Sequence, residues 1–156
     1  MLSNFFTETA ECILPPKIVL KSFHKKYLSV DSNGGVKAKG NVVLAWEALD
    51  VVVLNQANNK IGLKTELGGD GPVKYIGSYN RGGWLYTVDK LQGWEQFTVE
   101  CLGDNKIALK SFHRKYIGAT PDGNLYGTNK RRSWETWTFE VASDSQGTSN
   151  LNSSKL

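Results

Sequence analysis

The chain has 156 residues, of which 40% are hydrophobic and 22% charged, with a net charge of +4. This is the composition of one globular domain large enough for a real core. The longest apolar run, Val51-Val52-Val53-Leu54, has strand length and is too short to span a bilayer. Leu2 stands where N-myristoylation needs glycine, and the first residues lack the charged and apolar regions of a signal peptide. The two cysteines are therefore expected to be reduced, in a non-secretory compartment.

Residues 1–16 form a leader that ends in Pro15-Pro16. Phe5, Phe6, Ile13 and Leu14 give it something to bury, so it is expected to strap onto the domain that follows; Cys12 lies within it. From Lys17 onward one phrase occurs three times: Lys17-Ile18-Val19-Leu20-Lys21-Ser22, Lys60-Ile61-Gly62-Leu63-Lys64-Thr65 and Lys106-Ile107-Ala108-Leu109-Lys110-Ser111. Each copy is answered downstream by Trp-Glu, at Trp46-Glu47, Trp94-Glu95 and Trp134-Glu135. The starts lie 43 and 46 residues apart, so one supersecondary unit is repeated in space over residues 17–59, 60–105 and 106–142.

Each unit reads as four short strands. In the third, Ile107 and Leu109 alternate with Ala108 and Lys110. A basic turn at His113-Arg114 leads to a strand from Tyr116. Thr120-Pro121-Asp122-Gly123-Asn124 has turn chemistry, and Leu125-Tyr126-Gly127 begins the third strand. The fourth strand alternates, with Trp137, Phe139 and Val141 expected inward; the corresponding slots are Leu49, Val51, Val53 and Phe97, Val99, Cys101. The second unit departs by five extra residues between Lys64 and Tyr75, a lengthened loop containing Gly68-Gly69-Asp70-Gly71-Pro72. No segment carries a sustained helical period. Three units of four strands are too few for a propeller, and their likeness leaves no capping repeats for a solenoid. Closure around a threefold axis is what removes the sheet edges, so the expected fold is an all-β trefoil with one shared core.

Charge is uneven along the units. Residues 17–59 hold six basic and three acidic groups (+3), residues 60–105 five and six (−1), and residues 106–142 seven and three (+4). The basic clusters are Lys25-Lys26, Arg114-Lys115 and Lys130-Arg131-Arg132, and they suit an acidic polymer as partner. Lys130-Arg131-Arg132 lies in a loop between Tyr126 and Trp134. Aromatics beside cations also suit stacked bases, but no nucleic-acid motif is present, so nucleic acid is not the expected partner.

The Trp-Glu pairs are read as structural, the indole filling shared core volume and the carboxylate clasping a lysine or a backbone amide. His24 and His113 hold equivalent turn positions and lack a third ligand, so repeat inheritance explains them better than metal binding. Cys101 is read as a core thiol acting as a small hydrophobe; a bridge to Cys12 is sterically open but disfavoured in a reducing compartment. No metal-ligand spacing, phosphate-cradling loop or nucleophile–base motif occurs. No catalysis, cofactor or metal is expected.

The run Leu20-Lys21-Ser22-Phe23-His24-Lys25-Lys26-Tyr27 and its partner Leu109-Lys110-Ser111-Phe112-His113-Arg114-Lys115-Tyr116, each followed by a glycine-bearing turn and Trp-Glu, resemble the fascin-like β-trefoil of the actin-crosslinking superfamily. The resemblance covers residues 17–142, and the second unit departs from it by having no Phe-His. It implies non-catalytic binding or crosslinking of actin filaments, here through Lys25, Lys26, Arg114, Lys115, Lys130, Arg131 and Arg132. Trefoils also serve as lectins. The Gln-x-Trp of ricin-type trefoils occurs only as Gln92-Gly93-Trp94, while Tyr79, Trp84, Tyr86 and Asp89 offer a candidate carbohydrate platform, so a lectin-like or scaffold role is the alternative.

The tail, residues 143–156, is rich in Ser and Asn and is expected to be disordered. It ends in Ser154-Lys155-Leu156, the peroxisomal import tripeptide. That ending implies an import receptor as partner and a peroxisomal location, with the cytoplasm or cytoskeleton otherwise. It conflicts with the filament reading.

Overall fold

The computed structural model describes residues 12–67 and 71–142. Most of the leader, the centre of the lengthened loop and the tail with Ser154-Lys155-Leu156 lie outside the described residues. The first unit contributes β1 (Lys17–Lys21), β2 (Tyr27–Val30), β3 (Val36–Gly40) and β4 (Leu49–Asn55). The second contributes β5 (Lys60–Glu66), β6 (Val73–Ser78), β7 (Leu85–Val88) and β8 (Phe97–Gly103). The third contributes β9 (Lys106–Ser111), β10 (Tyr116–Ala119), β11 (Leu125–Thr128) and β12 (Trp137–Val141).

β1, β4, β5, β8, β9 and β12 pair antiparallel in a closed ring, β12 returning to β1 through Ile18↔Val141 and Leu20↔Phe139. Closure leaves this barrel without a free edge. The remaining strands form the hairpins β2–β3, β6–β7 and β10–β11. This is the β-trefoil read from the repeats.

The hairpin turns interlock around the pseudo-threefold axis. Ala38 donates its N–H to Gly123 O, Gly127 donates to Gly82 O, and the Thr87 hydroxyl donates to Gly34 O. Each unit's turn thus docks on a hairpin strand of the next. Gly83 is required at one contact, because a Cβ there would meet Gly127 N at 2.2 Å.

Repeated positions supply the core. Ile18, Ile61 and Ile107, then Leu20, Leu63 and Leu109, then Leu28, Ile76 and Ile117 are all buried. Leu49, Phe97 and Trp137 fill the equivalent slot at the head of the fourth strands, and the Trp137 indole N–H donates to Ile117 O at 2.9 Å. Three sequence expectations are corrected here. The inward alternation of the fourth strands does not reach its third slot: Val53 and Val141 are 55% and 61% exposed, and Cys101 is exposed too, because the strand ends run beyond the core. Cys101 is accordingly no core thiol. It is disulfide-bonded to Cys12, whose N–H also bonds the Asn59 side chain, so the end of the leader is fixed to the barrel. The tryptophans of the Trp-Glu pairs are likewise not core: Trp46, Trp94 and Trp134 stand 37–38% exposed while Glu47, Glu95 and Glu135 are buried.

Candidate functional site

The buried glutamates organise the surface around them. Each closes a single 3₁₀ turn, Ala45–Glu47, Gly93–Glu95 or Ser133–Glu135. One carboxylate oxygen accepts the backbone N–H three residues back, from Leu44, Gln92 or Arg132, at 2.8, 2.7 and 2.7 Å. Burying a carboxylate is tolerable because charge-assisted hydrogen bonds replace water. In the second and third units the other oxygen accepts a tyrosine hydroxyl, Tyr86 to Glu95 at 2.9 Å and Tyr126 to Glu135. Those rings lie flat over Gly77 and Gly118, where a Cβ would come within 2.6 and 2.5 Å of them. The first unit has Ser29 and Lys37 in these places and lacks the pair.

Burial, and then the glutamate acceptor, push the phenols of Tyr86 and Tyr126 well above the usual tyrosine range. A phenol held neutral by the fold stabilises fully below its unfolded value near 10, and that contribution is lost as pH rises past it. In an alkaline titration followed by phenolate absorbance, Tyr86 and Tyr126 are expected to ionise last among the six tyrosines, with stability falling from about pH 10 upward. Simultaneous ionisation of all six would contradict the clasp.

Two aromatic ledges flank these clasps, and both cross between units. The His24 ring meets the Trp134 indole edge-on at 4.8 Å and its Nε2 bonds Ala119 O at 3.1 Å; Phe23 lies against it. His113 repeats this with Trp94 at 4.6 Å, Ser78 O at 3.0 Å and Phe112. The histidines are thus inter-unit clasps. Sequence reasoning missed the ledges, although the recurrence of Phe-His in two units was their signal. The second unit has no Phe-His, and among the described residues no ring meets Trp46 in this way. The buried Thr65 hydroxyl has no partner among the described residues, where Ser22 and Ser111 each cap two turn amides.

The structure brings together three of the four platform residues. Tyr79 stacks tilted on Tyr86 at 4.7 Å and edge-on with Trp84 at 6.2 Å. Trp84 is 63% exposed. At the equivalent turn positions, Asp31 and Thr120 cap backbone amides with their side chains, a role Tyr79 cannot perform. The second unit has exchanged a structural cap for two exposed aromatic rings. Asp89 is corrected out of this platform. It sits at the opposite end of the β6–β7 hairpin, three residues beyond Tyr86 or about 10 Å by strand rise, paired with Lys74, whose ammonium lowers its carboxyl pKa.

Several of the basic side chains flank the loop of the third unit, while the His113 contact puts Arg114 near Trp94 of the second. The His24 contact brings the Lys25-Lys26 turn beside Trp134, and Lys115 bonds Asn129 at the other flank. Lys26 holds Asn41, and Arg131 pairs with Glu100 at 3.6 Å. Among the described residues no ion pair or hydrogen bond engages the side chains of Lys25, Arg114, Lys130 or Arg132. Tyr126, Arg132, Ser133, Trp134 and Glu135 line a pocket of about 270 Å³. Among the described residues no cluster of His, Cys, Asp or Glu has metal-ligating geometry, and no helix is long and apolar enough to cross a membrane.

Fold and surface together define a β-trefoil with aromatic surface sites built on its turns. The solved structure of SeviL bound to asialo-GM1 saccharide aligns with this chain at a TM-score of 0.69. The match covers 83% of this chain and 100% of that one at 10% identity, and at that identity it establishes the fold. No family model matches the sequence, and neither does any curated protein.

Proposed function

We propose that the protein is a non-catalytic carbohydrate-binding module whose second unit holds a neutral sugar against Trp84, Tyr79 and Tyr86. The exposed Tyr79–Trp84 pair carries the reading, standing where the other units keep a turn-capping side chain. Sugar rings present apolar C–H faces that stack on aromatic side chains, and exposed indole and phenol rings are otherwise a solubility liability. The saccharide-bound trefoil neighbour is consistent with this use of the fold. Filament binding, implied by the fascin-like residues, draws on a basic set of which Lys26, Lys115 and Arg131 are already engaged within the chain, leaving Lys25, Arg114, Lys130 and Arg132. The Cys12–Cys101 bridge favours an oxidising compartment.

Trp84→Ala is expected to weaken binding to a responsive neutral glycan about 10-fold or more. Unfolding free energy should change by less than about 0.5 kcal/mol, because the side chain is largely exposed. A glycan array showing no binding by the wild-type protein, or equal binding by both, counts against the proposal.

A further inference from the structure

The three glutamate clasps fix one backbone position in three copies and vary the side chain it bears. Leu44, Gln92 and Arg132 donate the same N–H to the same carboxylate oxygen, at 2.8, 2.7 and 2.7 Å. One slot is therefore apolar, one polar and neutral, and one cationic. Only in the third unit does a cationic residue stand in this slot beside the Tyr–Glu clasp and a Phe-His ledge. Tyr126, Arg132 and Trp134 all line the pocket of about 270 Å³. The lining carboxylate, Glu135, has both oxygens occupied, by Arg132 N–H and by the Tyr126 hydroxyl. It therefore does not hold the Arg132 guanidinium: among the described residues the two form no ion pair. Lys130 and Lys25 add positive charge beside the loop, and Glu100, which pairs with Arg131, also accepts the Tyr116 hydroxyl.

We infer that this pocket is a second saccharide site, one that binds an acid-bearing sugar, with Trp134 against the ring and Arg132 on its carboxylate or sulfate. The inference rests on the carbohydrate-binding reading but on different residues from the Tyr79–Trp84 platform. A guanidinium grips a planar or tetrahedral oxyanion through two parallel N–H donors, and an aromatic wall makes the recognition one of a ring and not of charge alone. The net charge of +4 over residues 106–142 against −1 over residues 60–105 supports the same division of ligands.

The test uses the full chain with two probes, a heparin-derived tetrasaccharide and a neutral glycan found on the array, each measured by calorimetry. Arg132→Gln, which copies the second unit's residue, is expected to weaken the acidic probe about 10- to 100-fold and to leave the neutral probe unchanged. Trp134→Ala should weaken the acidic probe as well, and Trp84→Ala should affect only the neutral one. Retained acidic binding in both Arg132→Gln and Trp134→Ala would overturn the site. So would a single-stranded oligonucleotide or an actin filament competing through Arg132 with Trp134 dispensable, since the patch would then read charge alone. Loss of neutral binding in Trp84→Ala together with unchanged acidic binding in Arg132→Gln would remove this inference and leave the platform standing.

Discussion

Replacing Trp137 by alanine is expected to lower the free energy of unfolding by about 3–5 kcal/mol, a large share of the ~5–15 kcal/mol typical of a domain. Trp137 is fully buried at the head of β12, where Leu49 and Phe97 occupy the same slot in the other units. Truncation opens a cavity in a layer that all three units share, so neighbouring strands cannot close over it locally. It also strands the Ile117 carbonyl, which accepts the indole N–H. Trp137→Phe keeps most of the volume, as Phe97 shows, and should cost roughly half as much. Urea denaturation of the two variants measures this. A loss under about 1 kcal/mol for the alanine variant would mean that the units do not share one core.

Removing the Cys12–Cys101 bridge is expected to cost about 2–5 kcal/mol. The bridge closes a chain separation of 89 residues, and the chain-entropy argument puts such a closure near the top of the range. Cys101→Val is the suitable partner for Cys12→Ser, because Val53 and Val141 hold the equivalent exposed positions. Reductant should lower the urea midpoint of the wild-type protein and leave that of the double variant unchanged. Equal sensitivity, or two free thiols titrated in the native oxidised protein, would refute the bridge. The result also bears on location: a protein recovered from cells with both thiols free would favour the reducing compartment expected from the sequence.

Strands and turns were legible because period-2 alternation and glycine-bearing turns are local signals repeated three times. The site was less legible, for physical reasons particular to its residues. Alternation assigns Val53, Cys101 and Val141 to the inward face but is blind to where a strand outruns the barrel. Average burial preferences put indoles inside and carboxylates outside. Here Glu47, Glu95 and Glu135 are inside, because amides three residues back can satisfy them. The spacing of Leu44, Gln92 and Arg132 ahead of each glutamate was the available clue. That Tyr79, Trp84 and Tyr86 lie together was expected from their aromatic character, whereas Asp89 needed the hairpin register to be set apart from them. The ledges joining His24 to Trp134 and His113 to Trp94 link different units, and no sequence spacing encodes such a contact.

The return of β12 to β1 has an engineering consequence. Ala142 donates its N–H to Lys17 O at 2.9 Å, so the ends of the repeated region already touch. A short linker from Ala142 to Lys17, with the chain cut at the exposed Gly103–Asp104 turn instead, would give a circular permutant that keeps all three interlocking turns but gives up Cys12 and its bridge to Cys101. Such a protein would begin on the third unit, carrying the arginine pocket at its amino-terminal end and the tyrosine platform at its carboxyl-terminal end.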